Sequence, residues 1–394
     1  MVMDWILQHK WILFFYIVLI AILFIKRKNI TRQAKIIIMY RMQFGIKFIE
    51  RIATRWNNLV RLFGFSGIGF GFAGMIAMSV MLVFAIVQAF TVPDQPSSVT
   101  LVLPGMDIPG LGLLSFWYWL LAIFIIAVVH EASHGVVAYA HGLQVKYTGI
   151  VLFGPILGAF VEPDEKKLTQ ADDIVQHSVY AAGAFSNIVL AVVVLLLMTM
   201  ITVPLQSLFV QPSGFTFDNY LSEDLPFAKA GIQPGTVITG INDEQVKNFQ
   251  ELNNELIRYR PGDNISIQTE EKIYAITLGE HPEAPKRGYL GITKIRNTYE
   301  NVYTGTLPNG VNTILEWFNG LQNNGRGFLF WLYVLSLGIG LFNLLPLPIV
   351  DGGRMVQTAL KRAYGEEKGN GIFGKVSIAF FILLIASMLL PAII

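Results

Sequence analysis

The side chains best placed to do chemistry lie in one short stretch, Val128–Gly142 (VVHEASHGVVAYAHG), near the end of a long apolar run. His130 and His134 are four residues apart, so on a helix their imidazoles share one face and stand one turn apart. That spacing lets both bind a single Zn²⁺ ion, and Glu131 can then take a proton from the water that the ion activates. A histidine and a glutamate inside an apolar membrane helix are costly, which points to function. Two histidines still need a third protein ligand, commonly a carboxylate. Asp351 is the candidate: Pro346 and Pro348 end regular helix just before it, and Gly352 and Gly353 permit an unusual backbone turn just after it. His141, seven residues beyond His134, lies about 10 Å further along the helix. It is too far away to share the ion and marks the membrane boundary.

These residues have to be held by membrane helices. The chain is 53% hydrophobic and 14% charged, with the charges bunched, which is the composition of a membrane protein carrying a soluble insert. The lack of cysteine excludes disulfides and thiolate zinc sites. Six spans are expected: Trp11–Ile25, Phe65–Phe90, a third starting near Leu111 with the zinc motif, Ser178–Val203, Phe328–Leu345 and Ile372–Ile394. Between the first two, Lys26–Arg61 carries ten Lys or Arg against one acid, Glu50. That bias places the stretch in the cytoplasm and both chain ends outside. Its helical rhythm with aromatic residues predicts an amphipathic helix on the inner leaflet. Beside a span, such a basic run reads as lipid contact, not nucleic-acid binding.

Gly67, Gly69, Gly71 and Gly74 crowd the cytoplasmic end of the second span and predict close helix packing. Alternating the spans brings His134 and Asp351 to the cytoplasmic ends of their helices, at similar depth. In the fourth span Gly183 admits a close neighbour. Asn187, one turn later, is either helix–helix glue or a hydrogen-bond donor to a developing oxyanion.

Tyr147–Val161 (YTGIVLFGPILGAFV) is apolar but too short for a span, and Gly149, Gly154, Pro155 and Gly158 break any helix. It predicts two short strands around Gly154-Pro155, either a plain buried hairpin or an edge that pairs with an unwound substrate. Glu162–Asp173 reads as a charged cytoplasmic segment. Between Pro204 and Arg326 the composition is globular, and the length is compatible with a location outside. Here Ala230–Gly235 (AGIQPG), Val237–Asn242 (VITGIN), a helix at Asn248–Arg258 and alternation in Ile265–Gln268 and Tyr274–Leu278 predict a small mixed α/β domain. Gly310–Asn323 predicts a short helix on the outer surface.

The pairing of His-Glu-Ala-Ser-His with a later Asn343-Leu344-Leu345-Pro346-Leu347-Pro348-Ile349-Val350-Asp351-Gly352 resembles the site-2 protease family of intramembrane metalloproteases. Residues 215–292, with AGIQPG, INDEQV and PGDNISI, resemble a PDZ domain of the prokaryotic protease type. The resemblance implies one Zn²⁺ per chain held by His130, His134 and Asp351, with Glu131 as general base. It implies that Asn187 and Asn343 steady the substrate backbone or the oxyanion. The expected fold is an α-helical multi-pass membrane protein of about six transmembrane helices with a site-2-protease-like core and an inserted α/β PDZ-like domain.

Residues 1–110 would be a transmembrane pair with a basic cytoplasmic linker, and 111–203 the first part of the core. The extracytoplasmic PDZ-like domain would follow at 215–292, a linker with an interfacial helix at 293–325, and the rest of the core at 326–394. The implied substrates are transmembrane proteins already trimmed outside and still tethered to the bilayer. Tyr289–Ile292 looks like a PDZ carboxylate-binding turn in permuted order and would hold a peptide terminus. A membrane protease of the prenyl-protein-processing type is a rival, but its third ligand resembles a glutamate in a Glu-x-x-x-Asp stretch that no later span carries. A non-enzymatic reading, a zinc-binding PDZ adaptor, leaves the two motifs at matched depth unexplained.

Overall fold

The computed structural model describes residues 10–25, 30–33, 37–91, 102–108, 111–153, 156–281, 284–301, 310–321 and 326–390. In chain order the elements begin α1 (Lys10–Ile25), β1 (Ile30–Gln33), β2 (Ile37–Met42), α2 (Ile46–Arg55), α3 (Asn57–Thr91), β3 (Asp107–Ile108) and β4 (Gly112–Leu113). Then come α4 (Phe116–Ala140), β5 (Val145–Phe153), β6 (Ile156–Pro163), α5 (Glu165–Gln170) and α6 (Asp173–Leu197), a π turn (Met198–Thr202) and α7 (Val203–Ser207). The next group is β7 (Val210–Tyr220), α8 (Pro226–Lys229), β8 (Ile238–Ile241), β9 (Glu244–Gln245), α9 (Phe249–Leu256), β10 (Asn264–Thr269) and β11 (Ile273–Thr277). The chain ends with β12 (Gly279–His281), β13 (Ala284–Tyr289), β14 (Ile292–Asn301), α10 (Val311–Asn319), α11 (Phe328–Phe342), α12 (Asp351–Tyr364) and α13 (Glu366–Leu389). Two compact units result, one of residues up to 193 with 331 onward, the other of residues 194–330.

In the first unit the helices form a bundle. Four helical stretches of the chain are long and apolar enough to cross a membrane: Asn57–Thr91, Phe116–Ala140, Asp173–Ser207 and Glu366–Leu389. Two of the expected spans correspond to shorter apolar helices, Lys10–Ala21 and Phe328–Phe342. The second of these stops at Phe342, ahead of Pro346 and Pro348, and Asp351 opens a new helix instead of ending an old one.

Lipid gives helices no hydrophobic drive to associate, so close approach of small residues decides the packing. Gly64, Gly67, Gly71 and Gly74 form one stripe on α3, as their spacing requires. A Cβ at Gly64 would stand 3.0 Å from Val137, one at Gly71 2.7 Å from the Met355 Cε, and one at Gly74 would collide with Leu344. Gly69, expected to share in this, meets nothing within 4 Å and faces away.

The basic stretch before α3 differs from the single amphipathic helix expected. Among its described residues ahead of α3, Ile46–Arg55 is the helical part, with Ile49 and Ala53 buried and Phe48 exposed. Ahead of it β1 and β2 form a hairpin, and β2 pairs antiparallel with β5 from Ile37↔Phe153 to Met42↔Thr148. Ile37 and Ile38 are β-branched and suit a strand. The open edge of β5 satisfies backbone groups that a helix would have satisfied internally. The result is one antiparallel sheet in the order β1-β2-β5-β6, with β6 against α4. The strands β5 and β6 stand where the glycine-rich apolar stretch predicts them; Gly154 and Pro155 lie outside the described residues.

The second unit is built on an antiparallel sheet, β11-β10-β8-β7-β14, with β9 on β8. Phe215, Phe217, Phe227, Ile238, Leu252 and Ile267 fill its core. The long β7–β14 pairing carries the sheet from Val210 to Asn301. Asn248 caps α9, accepting the Glu251 N–H at 2.9 Å, while Glu251 reaches back to the Lys247 N–H at 2.7 Å. Asn319 on α10 donates to the Thr202 carbonyl in the π turn at 3.0 Å and to Gln206 at 2.6 Å.

Candidate metal centre

Helix α4 brings His130 and His134 to one face with their Nε2 atoms 3.2 Å apart. Asp351, at the start of α12, places Oδ2 3.1 Å from His130 Nε2 and 3.4 Å from His134 Nε2. Tetrahedral zinc with ligand atoms at about 2.0–2.1 Å spaces neighbouring ligands about 3.3–3.4 Å apart, so the triangle fits the ion. The donor set fits as well. Asp351 Oδ2 is buried and accepts no hydrogen bond among the described residues. A buried carboxylate oxygen in that condition calls for a cation. Among the described residues these three form the His/Asp/Glu group close enough to hold a metal.

The helices approach closely enough only because of three glycines. On α6, a Cβ at Gly183 would stand 2.6 Å from His130 Nε2 and nearer still to His134 Nε2. Gly352 and Gly353 lie so close to the Leu344 and Leu347 carbonyls that neither can carry a side chain. The Gly352 N–H donates to the Asn343 carbonyl at 2.7 Å, which tightens the turn that presents Asp351.

Behind the ligands, His134 Nδ1 donates to the Val179 carbonyl at 2.7 Å, which leaves the Nε2 lone pair for a metal. His130 Nδ1 lies 3.1 Å from the amide of Asn187, which is fully buried. Glu131 accepts the Val161 N–H of β6 at 3.1 Å. A cavity of about 460 Å³ opens onto the cluster and is lined by Glu131, Val161, Asn343 and Arg354 among others. Asn343 therefore faces the cavity, with its Nδ2 donating to the Ile339 carbonyl at 3.0 Å. Asn187 sits behind His130 and not among the cavity-lining residues.

Met39 and Arg41 of β2 also line this cavity, and Arg41 pairs with Glu162 at 3.0 Å. Sequence reasoning missed both, since their place depends on a strand pairing across more than a hundred residues; the Ile36–Ile38 run was the available signal. His141, at the end of α4, packs against Phe65 with a ring-centroid distance of 5.6 Å and takes no part in the cluster. In the second unit a cleft of about 280 Å³ lies between α9 and Tyr289–Ile292. Gly291 turns there with φ +78°.

Two histidines on a helix of membrane-crossing length, with a glutamate beside them and an aspartate brought to the same point from the start of α12, make a group that could hold zinc in a membrane protein. Residues 118–384 match Peptidase family M50, and the chain belongs to that family, the site-2 protease family of zinc metallopeptidases. It is 25% identical to Zinc metalloprotease RasP of Oceanobacillus iheyensis over 244 residues, covering 52% of this chain and 56% of that protein. Over 337 residues it is 25% identical to Uncharacterized protein MJ0971 of Methanocaldococcus jannaschii, covering 82% and 78% of the two chains. A Membrane-bound transcription factor site-2 protease homolog of Arabidopsis thaliana is 24% identical over 200 residues, 50% of this chain and 38% of that one. The matches span about half the length of the RasP relatives.

Proposed function

We propose that this protein is an intramembrane zinc endopeptidase that cuts transmembrane segments of other membrane proteins. What carries the reading is the triangle of His130 Nε2, His134 Nε2 and Asp351 Oδ2, with sides of 3.1–3.4 Å, open to a cavity that Glu131 also lines. Bound by those three residues, Zn²⁺ supplies Lewis acidity toward a peptide carbonyl and toward water. Glu131 takes the proton of the attacking water and returns it to the leaving amine. Asn343, facing the same cavity, steadies the substrate backbone or the oxyanion. A transmembrane helix hides its peptide bonds in its own hydrogen bonds and must unwind before it is cut. The edge of β6 beside Glu131 offers backbone partners to such an unwound stretch.

In this reading α1 and α11 complete six spans, the site faces the cytoplasmic side of the cell membrane, and the chain ends lie outside. Residues 215–292 form an extracytoplasmic PDZ-like domain whose cleft at Tyr289–Ile292 takes a peptide terminus. Substrates arrive already trimmed outside and tethered in the bilayer.

The test uses the purified protein in detergent with a single-span model substrate, beside Glu131→Ala, Asp351→Ala and a chelator control. Cleavage within the span is expected, lost in all three controls, with zinc retained by Glu131→Ala and lost by Asp351→Ala. Cleavage that survives Glu131→Ala, or zinc binding that does not depend on Asp351, would sink the assignment.

A further inference from the structure

We infer that Asn187 is a positioning residue whose amide oxygen accepts the Nδ1 proton of His130 and so fixes that imidazole as a zinc ligand; the inference rests on the zinc site proposed above. An imidazole that offers the Nε2 lone pair to a metal carries its proton on Nδ1, and that proton needs an acceptor. For His134 the acceptor is the Val179 carbonyl, at 2.7 Å. For His130 the group in hydrogen-bond reach of Nδ1, among the described residues, is the Asn187 amide at 3.1 Å. The atom of that amide nearest the ring is Nδ2, a donor, while Oδ1 is buried without a hydrogen-bond partner among the described residues. Two donors facing each other repel. The two ends of an amide have the same shape, and the hydrogen-bond network decides which end points where. A half-turn of the amide sets Oδ1 on the His130 proton.

The surroundings hold Asn187 in that place. Ser336 Oγ donates to the backbone carbonyl of Asn187 at 2.8 Å, which ties α11 to α6 at this level. Gly340 lets α11 pass so close that a Cβ there would stand 3.1 Å from the Asn187 Cβ. Asn187 itself is fully buried and does not line the cavity. A group so enclosed reaches the substrate through His130, not directly. The amide hydrogens that an oxyanion would need point into protein, whereas an acceptor for His130 is what the position supplies.

The experiment is a zinc-affinity measurement by chelator competition on full-length protein, with Asn187→Leu and Asn187→Asp compared with wild type, and thermal unfolding recorded for each. Leucine keeps the volume and removes the acceptor; aspartate keeps the acceptor and removes the donor. Loss of an outer partner of this kind weakens metal binding by about 10–100-fold. That loss is expected for Asn187→Leu, with Asn187→Asp within about threefold of wild type or tighter. An unchanged affinity in Asn187→Leu overturns the inference, as does an equal loss in both variants. If Asn187→Leu does not fold, Asn187→Asp decides alone: loss of zinc binding there overturns the inference and retention upholds it. A wild-type protein that binds no zinc would instead refute the site itself, so the two failures are distinguishable.

Discussion

Gly183→Ala tests the centre with the smallest possible change. The added Cβ would stand 2.6 Å from His130 Nε2, and nearer to His134 Nε2, where ordinary contact begins near 3.4 Å. Both imidazoles must therefore retreat, His130 by about 0.8 Å and His134 by more, against a tolerance of about 0.2 Å in metal–ligand distance. The displaced rings also lose alignment with their partners, Asn187 and Val179, and an outer-partner loss alone costs about 10–100-fold. Zinc affinity should fall by at least about 100-fold, or about 2.7 kcal/mol. The metal-free fold should not suffer in proportion, since alanine is favoured over glycine inside a helix by about 1 kcal/mol. The assay pairs zinc content after chelator challenge with thermal unfolding of the metal-free protein. Loss of zinc with an unchanged metal-free melting temperature is expected. A Gly183→Ala protein that binds zinc like wild type would refute the reasoning, because the histidines would then not stand where the ligand triangle requires.

Two further outcomes follow from the packing. Val161→Pro removes the N–H that Glu131 accepts, on the side of β6 away from β5. A hydrogen bond to a charged group contributes about 1.5–3 kcal/mol, so cleavage should drop by about 10–100-fold while zinc content stays unchanged; a drop in bound zinc would mean the strand had moved. Gly74→Leu forces a side chain onto Leu344 and should cost about 1–3 kcal/mol in thermal unfolding, whereas Gly69→Leu, which meets nothing within 4 Å, should be silent. Equal melting temperatures for the two leucine variants would remove the packing stripe on α3.

The legibility of these features in the sequence followed the range of the interactions behind them. His130, Glu131 and His134 were readable because one helix positions them and helical periodicity is local. Asp351 was readable from chemistry and topology, since a third ligand was required and the alternating spans brought it to the same depth. The turn presenting it, with Gly352 and Gly353 pressed on the Leu344 and Leu347 carbonyls, could only be anticipated as unusual. Asn187 was seen to share a face with Gly183, but spacing does not reveal which atom an amide meets, and its partner sits 57 residues away on α4. The stretch before α3 was misread for the same reason. Helical rhythm and strand alternation compete in a short basic run, and the edge that decided for strand belongs to β5, far along the chain.

The glycine stripe on α3 also separates inheritance from mechanics. The family match begins at residue 118, yet Gly71 and Gly74 lie against Met355 and Leu344, on either side of Asp351. A chain trimmed to its matched portion would leave that contact surface facing lipid, with nothing small enough to follow its contour. The residues flanking the aspartate turn would then lose their contacts with α3. For this protein the smallest piece worth expressing begins well before the shared segment, because the residues that define kinship are fewer than those that keep the centre in shape.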